Sequence, residues 1–162
     1  MFSAWCLLVP LSCALSAVPA MISSVSSDVS VMEGGNVSLF CTARGKPEPT
    51  VSWRAVNHPA KKYPSGEQLD IRGIAREQAG EYECSAQNGV SAPSTKTLRV
   101  TVNYPPTIRE MKFTRSALTA LLRCDALGAP TPAFEWYRGS KRLTAGHGTR
   151  IQTLGSHSWS WH

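Results

Sequence analysis

Apolar and polar positions alternate along several short runs of this chain. Val37, Leu39 and Cys41 take every second position of one run, and the same alternation recurs around Trp53, around Cys84 and over residues 98–102. A period of two is typical of strands that bury one face, and the runs are separated by glycine, proline and asparagine. No window has the period of an amphipathic helix. We therefore expect an all-β fold built as a sandwich of antiparallel strands.

The chain also contains an internal repeat with a constant offset of 83 residues. This offset aligns Cys41 with Cys124 and Trp53 with Trp136, and a Gly-X-Pro-X-Pro motif lies between them in both copies. Such a period fits one sandwich domain per copy. Between the copies, Pro105 and Pro106 interrupt strand pairing and stiffen the connection. We expect one domain over residues 21–102, a linker over 103–107 and a second domain that starts at residue 108.

The first copy has the residues of an immunoglobulin-like sandwich. Cys41 and Cys84 share the inward parity of their strands, with Trp53 between them in sequence. In that fold, one disulfide crosses the two sheets and packs against the indole. A bond that closes this loop is expected to contribute roughly 4 kcal/mol. Tyr82, two residues before Cys84, occupies the position of the tyrosine corner.

Several motifs resemble a known family. Residues 33–38, 45–49 and 77–84 are similar to an I-set immunoglobulin domain, and residues 102–108 and 133–137 extend the likeness to the second and third domains of the IgLON family. That resemblance implies a neural cell-adhesion protein, held at the cell surface by a glycolipid anchor, that pairs homophilically or with other family members. Family pairing runs largely through a first domain, and here the apolar segment 1–17 stands in its place. The resemblance therefore implies weakened adhesion.

The second copy is expected to be an incomplete immunoglobulin-like domain. No cysteine follows Cys124, and the spacing of the first copy would place its partner beyond His162. We expect a truncated domain over residues 108–145 and an irregular tail over 146–162. Cys124 would then be an unpaired thiol that forms intermolecular disulfides, and Leu122, Phe134 and Trp136 would lack a covering sheet.

The N-terminal segment indicates secretion. No charged residue occurs before Asp28, and the apolar run is broken by Pro10 and Pro19, which makes it short for a membrane span of about 20 residues. We interpret residues 1–20 as a leader that is cleaved after Ala17 or after Ala20. The alternative is an uncleaved start, since the basic residues of a typical leader are missing. No other run is long enough to cross a membrane.

The sequon Asn36-Val37-Ser38 has outward parity on its strand. In a secreted chain we expect a glycan on Asn36, and the alternative is a bare surface asparagine.

Composition and charge argue against catalysis and nucleic-acid binding. The net charge is +6, with eight basic and three acidic residues over 103–162, but the basic pairs 61–62 and 141–142 have no aromatic residues for base stacking. The histidines lack nearby carboxylates or thiols at metal-ligand spacing, and no nucleophile motif occurs. We expect no enzyme activity, cofactor, metal or nucleic-acid partner.

Two functions remain open. Outward residues of the first copy would share one sheet face and form cross-strand ion pairs, namely Arg54, Glu81, Glu83, Gln87 and Arg99. One hypothesis is a cell-surface or secreted recognition module that binds other immunoglobulin-domain proteins through non-covalent contacts. The other is a structural spacer, or a truncated isoform, without a ligand of its own.

Overall fold

The computed structural model describes residues 16–146 and 148–161, with only the backbone of Trp161. Most of the expected leader, residues 1–15, lies outside the described residues, as do His147 and His162. The all-β prediction is confirmed, because all but one of the regular elements described are strands. The exception is a single 3-10 turn at Arg76–Gln78. The strands are β1 (Val18–Val25), β2 (Val29–Met32), β3 (Val37–Lys46), β4 (Thr50–Ala55), β5 (Gln68–Ile71), β6 (Gly80–Gln87), β7 (Ser94–Arg115), β8 (Ala120–Ala129), β9 (Tyr137–Arg138), β10 (Lys141–Arg142), β11 (Arg150–Leu154) and β12 (His157–Trp161).

The strands form two large sheets and one small hairpin. One sheet has the order β1-β3-β5, and the other has the order β11-β12-β8-β7-β6-β4 with β2 added in parallel to β7. β9 and β10 pair only with each other. The alternation seen in the sequence corresponds to burial, since the side chains of β3, β4 and β6 alternate between buried and more exposed positions.

The chain folds into two compact units, each assembled from separate stretches of sequence. Among the described residues, unit 1 holds residues 16–26, Leu39–Leu69 and Glu83–Thr97, and unit 2 holds Ser27–Ser38, Asp70–Tyr82 and residues 98–146 and 148–161. The domain boundaries expected from the sequence remain a prediction.

β7 runs without a break through the expected linker. Residues 103–107 belong to this 22-residue strand. Tyr104 is in register with Ala129 and Thr107 with Leu127, and the register is irregular between these two positions, where Pro105 and Pro106 lie. Proline has no N–H to donate, so the irregularity falls where the ladder cannot be continuous.

The expectation of an irregular tail over residues 146–162 is wrong. β11 and β12 form a hairpin there, with Leu154 in register with His157, and β12 pairs along β8. The two-residue turn is Gly155-Ser156, and Gly155 has φ of 56°. Glycine adopts this left-handed conformation without a steric penalty, which is why it favours a tight hairpin here.

The boundary expected after residue 20 falls inside β1. Val18, Pro19 and Ala20 are the first residues of this strand, and Ala20 is buried. Of the two cleavage positions considered, only the one after Ala17 leaves β1 whole.

Most buried apolar side chains lie between residues 20 and 102. Beyond residue 102, the described side chains that are buried are Cys124, Ala126, Ser158 and Ser160. The two copies of the repeat therefore differ strongly in how much core they contain.

Candidate protein-interaction site

The cysteine–tryptophan–cysteine pattern of the first copy corresponds to three buried core residues. A disulfide joins Cys41 to Cys84 with the Cα atoms 6.5 Å apart, and neither residue is exposed to solvent. Trp53 is also buried. The Tyr82 hydroxyl donates a hydrogen bond to the Gln78 carbonyl oxygen at 2.9 Å, which is the bond of a tyrosine corner. These residues hold the fold and present no reactive group at the surface.

The β4 edge of unit 1 is an exposed, charged feature among the residues singled out in the sequence. We define it as Arg54, Val56, Lys61 and Lys62. β4 is the last strand of its sheet, and Arg54 forms an isolated bridge with Lys62. All four side chains are exposed. The Arg54 Nε donates to Glu83 Oε1 at 2.7 Å, and the hydrogen bond with this carboxylate raises the pKa of Arg54.

The expected pairing of outward residues is confirmed for two pairs. Besides the Arg54–Glu83 pair, Arg99 in unit 2 donates to Glu81 at 3.0 Å. Exposed pairs of this type contribute about 0.2–1 kcal/mol each to the free energy of unfolding. Their main effect is to set the positions of the charges on this face.

Asn36 is exposed, and its Oδ1 accepts a hydrogen bond from the Gly73 N–H at 3.0 Å. The Ser38 hydroxyl of the same sequon donates to Asp70. The side-chain carbonyl oxygen of Asn36 is thus hydrogen-bonded to the backbone.

The second copy arranges the same residue types differently. Cys124 is free and buried, with 7% of its surface exposed. Burial, together with the charge of Asp125, raises the pKa of the Cys124 thiol. Only the thiolate attacks a disulfide, so both effects oppose the intermolecular pairing that we expected of this cysteine. Trp136 is half-buried, and its Nε1 donates to Ser158 Oγ at 2.8 Å.

A polar cluster on β8 and β12 was not anticipated. Asp125 accepts from Arg123 at 2.8 Å, and the Nδ1 atom of His157 lies 2.7 Å from its other oxygen. Hydrogen bonds from Arg123, and then from His157, lower the pKa of Asp125. The alternation of charged residues over 123–125 was visible in the sequence, but the pairing with His157 depends on β12, which we had not predicted.

Two further contacts have no signal in the sequence, because their partners are far apart along the chain. Arg76 pairs with Glu33 and lies over the Tyr104 ring at 4.0 Å from its centroid, and its hydrogen bonds lower the pKa of Glu33. In unit 1, the Asn88 amide donates to the carbonyl oxygens of Val18 at 2.7 Å and Pro47 at 2.9 Å. Both contacts join groups that are far apart in the sequence, and neither hydrophobic periodicity nor a sequence motif predicts them.

The described residues contain no group of three or more potential metal ligands. Nor does any helix in the described part of the chain have the length and apolar character needed to cross a membrane.

Comparison with known proteins agrees with this geometry. A family model for the immunoglobulin domain matches residues 19–88. Neuronal growth regulator 1 of Gallus gallus is 53% identical over 131 residues, covering 80% of this chain and 37% of that protein. Limbic system-associated membrane protein of the same species is 49% identical, covering 87% of this chain and 43% of that protein. IgLON family member 5 of Homo sapiens is 50% identical, with 84% of this chain and 41% of that protein covered.

This chain contains an immunoglobulin domain over residues 19–88 and is similar to members of the IgLON family. It spans about two fifths of the length of these relatives.

Solved structures support the same fold. The complex of Dpr2 Ig1-Ig2 with DIP-Theta Ig1-Ig3 includes a chain with a TM-score of 0.70 and 25% identity, covering 90% of this chain and 54% of that one. The titin tandem domains A164-A165 have a TM-score of 0.59 at 20% identity, covering 91% of this chain and 82% of theirs, and show the fold alone.

Proposed function

We propose that this chain is a recognition module, secreted or held at the cell surface, that binds other immunoglobulin-domain proteins through non-covalent contacts. The observation that carries the proposal is the identity of about one half with IgLON relatives over most of this chain. The Dpr2–DIP-Theta complex supports it, since in that complex two proteins that carry immunoglobulin domains are bound to each other. We expect partners within the same family, either a second copy or a relative.

The β4 edge is the surface we propose for this contact. It is cationic and exposed at the last strand of a sheet, with Val56 as an apolar contact point 38% exposed. Arg54 is held in place by Glu83, so binding does not have to order a freely moving side chain. The positive charge of this edge favours its association with an acidic surface of the partner protein.

A binding assay with matched variants tests this proposal. The purified chain is passed over immobilised neuronal growth regulator 1, limbic system-associated membrane protein, IgLON family member 5 and the chain itself. We expect Arg54→Glu to weaken capture about tenfold, as expected when a contacting charge is reversed. Arg44→Glu is the control, because Arg44 is exposed in the same unit but lies on β3 of the other sheet. Equal weakening by both variants would contradict the proposed surface.

A structural spacer is the second candidate, and the unbroken course of β7 through residues 103–107 favours it. A chain that sediments as a monomer at all concentrations and captures none of the four proteins would support the spacer.

We also propose that the chain enters the secretory pathway through a leader cleaved after Ala17 and carries a glycan on Asn36. Asn36 is exposed, and β1 begins at Val18. Expression in mammalian cells should give a protein whose mobility increases after endoglycosidase treatment, and Asn36→Gln should remove that change. Secreted material with an intact residue 1 or without a glycan would count against this proposal.

A further inference from the structure

The basic pair Lys141-Arg142 has no role in the core or in the proposed β4 edge. These two residues form β10, and all side chains from Tyr137 to Arg142 are exposed. Among the described residues, Lys141 forms no ion pair. Arg142 lies 2.8 Å from Glu135, in an exposed pair that contributes little to stability. Both cationic side chains are therefore available to an acidic partner that approaches this hairpin.

The backbone of β10 is extended and keeps one edge free. Within the described part of the chain β10 pairs with β9 alone, with Arg142 in register with Tyr137. The Leu143 N–H donates to the Trp136 carbonyl oxygen at 2.8 Å. Because bonded and non-bonded pairs alternate along an antiparallel ladder, Arg142 and Tyr137 form a non-bonded pair. The N–H and C=O groups of Arg142 thus point away from β9, and a strand added to the far edge of β9 would leave them free.

An exposed, extended segment with a basic pair has the form in which an endoprotease binds its substrate. Such an enzyme aligns the substrate backbone as an added strand and places the side chains before the scissile bond in pockets. Carboxylates in two adjacent pockets bind a lysine and an arginine through charge-assisted hydrogen bonds. After the pair, Leu143 is half-buried, and Thr144 and Ala145 are exposed and belong to no strand. The chain is therefore accessible on both sides of the Arg142–Leu143 bond.

The first copy contains another basic pair, Lys61-Lys62, in a different conformation. Its side chains are also exposed. The Lys61 N–H donates to the His58 carbonyl oxygen at 3.0 Å, which bends the chain into a turn that includes the first lysine. Lys62 forms a bridge with Arg54, and Pro64, two residues later, has no N–H for an enzyme to bind. The two pairs are thus alike in charge and exposure, but the second copy presents its pair on an extended, free edge.

We propose that the Arg142–Leu143 peptide bond is a cleavage site for an endoprotease specific for pairs of basic residues. The bond between the Arg142 carbonyl carbon and the Leu143 nitrogen breaks, and one water supplies a hydroxyl group to the carbon and a proton to the nitrogen. At neutral pH the products are a carboxylate on Arg142 and an ammonium group on Leu143. The inference rests on the proposed secretion only for the compartment in which the chain meets the enzyme.

The two parts of the cleaved chain would remain associated. β12 lies after the cut and is in register with β8 at five positions, and the Trp136 indole donates to Ser158 at 2.8 Å. The disulfide between Cys41 and Cys84 lies entirely before the cut, so it does not join the two parts. The cleaved protein is therefore expected to sediment as one species and to give two bands on a denaturing gel, with or without reductant.

The test exposes the purified full chain to a limiting amount of a subtilisin-type endoprotease specific for basic pairs. Mass spectrometry over time is expected to find one early pair of products, separated between Arg142 and Leu143. Chain secreted by mammalian cells should contain a part whose first residue is Leu143. A purified chain that stays intact or is cut first after Lys62, or secreted chain without the Leu143 terminus, would overturn the proposal. A chain that is cut when purified but is never secreted would contradict the proposed function and support this site.

Matched variants separate the effect of sequence from that of conformation. Lys141→Gln should slow cleavage about tenfold, as expected for the loss of one charge-assisted contact, and Arg142→Gln should abolish it. Lys62→Arg gives the first copy the same Lys-Arg pair, and the chain should remain uncut there over the same period. Unchanged melting temperatures would show that the three variants are folded. Cleavage that is unaffected by Arg142→Gln would overturn the proposal.

Synthetic peptides show what each sequence contributes without the fold. They cover residues 137–146, and residues 57–66 with Lys62→Arg. Relative to its own peptide, the second pair should be cut faster in the folded chain than the first pair of the Lys62→Arg variant. Equal ratios would show that the extended edge has no effect and would contradict the proposal.

Discussion

The two copies of the repeat place the same residue types in different structural roles. In the first copy, Cys41 is disulfide-bonded and Trp53 is buried. In the second copy, Cys124 is a free thiol, and Trp136 is half-buried with its indole N–H bound to Ser158. Both copies retain the Gly-X-Pro-X-Pro turn, in which a Cβ on Gly45 or Gly128 would approach the second proline ring to about 3 Å, at 3.1 and 3.0 Å. The two copies therefore share this close approach of glycine and proline, whereas the role of the cysteine and tryptophan depends on what covers them.

The largest expected difference between the copies concerns tryptophan. Trp53→Ala should lower the free energy of unfolding by about 3–5 kcal/mol, because a buried indole leaves a cavity. Trp136→Ala should cost only about 1–2 kcal/mol, the loss of one hydrogen bond and a partly buried surface. Urea denaturation measures both. Equal costs would mean that the second copy has a core like that of the first.

The aligned cysteines give the next comparison. Cys41→Ala should destabilise the protein by about 2–4 kcal/mol, since it removes the disulfide. Cys124→Ala should cost about 1 kcal/mol, because it deletes a small buried side chain without a partner. On denaturing gels without reductant, the chain should show no disulfide-linked dimers, since the thiol is buried. Disulfide-linked dimers that disappear in Cys124→Ala would show that this thiol is accessible after all.

Asn88 makes hydrogen bonds in the first copy that have no counterpart among the described residues of the second copy. A Cβ on Gly45 would meet the Asn88 amide nitrogen, whereas one on Gly128 would meet Pro106 of β7. Asn88→Ala removes the hydrogen bonds to Val18 and Pro47, and we expect a loss of about 1–3 kcal/mol because these carbonyl groups lose their donor. Amide exchange should become faster in β1. Unchanged exchange there would show that pairing with β3 alone holds this strand.

The smallest expected effect is a pH dependence of β12 in the second copy. The pKa of Asp125 is lowered in the fold, so its ion pairs stabilise β12 above the ordinary carboxyl range and are lost as pH falls through the lowered value. NMR should show loss of amide protection in β12 on acidification below about pH 4, where carboxyl groups take up protons. Asp125→Asn should remove most of that dependence. Glu135→Gln is the control, because its pair with Arg142 is exposed and lies outside β12. A retained pH dependence in Asp125→Asn would assign it to another group.

The sequence predicted the strands whose alternation places apolar residues inward, because that pattern directly reflects burial of one face. It failed at β12, where the pattern is inverted. Ser158 and Ser160 face inward and are fully buried, while the tryptophan between them is on the other face. Polarity alone therefore indicated an irregular tail. The Gly155-Ser156 pair, a two-residue hairpin signal, was the feature that could have corrected this. The contacts of Arg76 and Asn88 were beyond sequence reasoning, since they join side chains to distant backbone or ring partners.

The continuity of β7 has a consequence for synthesis on the ribosome. Its first part pairs with β2 and β6, which precede it, whereas residues 104–115 pair with β8, which follows. A chain emerging from its N-terminus completes the earlier ladder first. During that interval, the later part of the strand presents unpaired backbone groups. This interval is the period in which a nascent chain is most exposed to chaperones and to wrong partners, and it closes only when β8 has been translated.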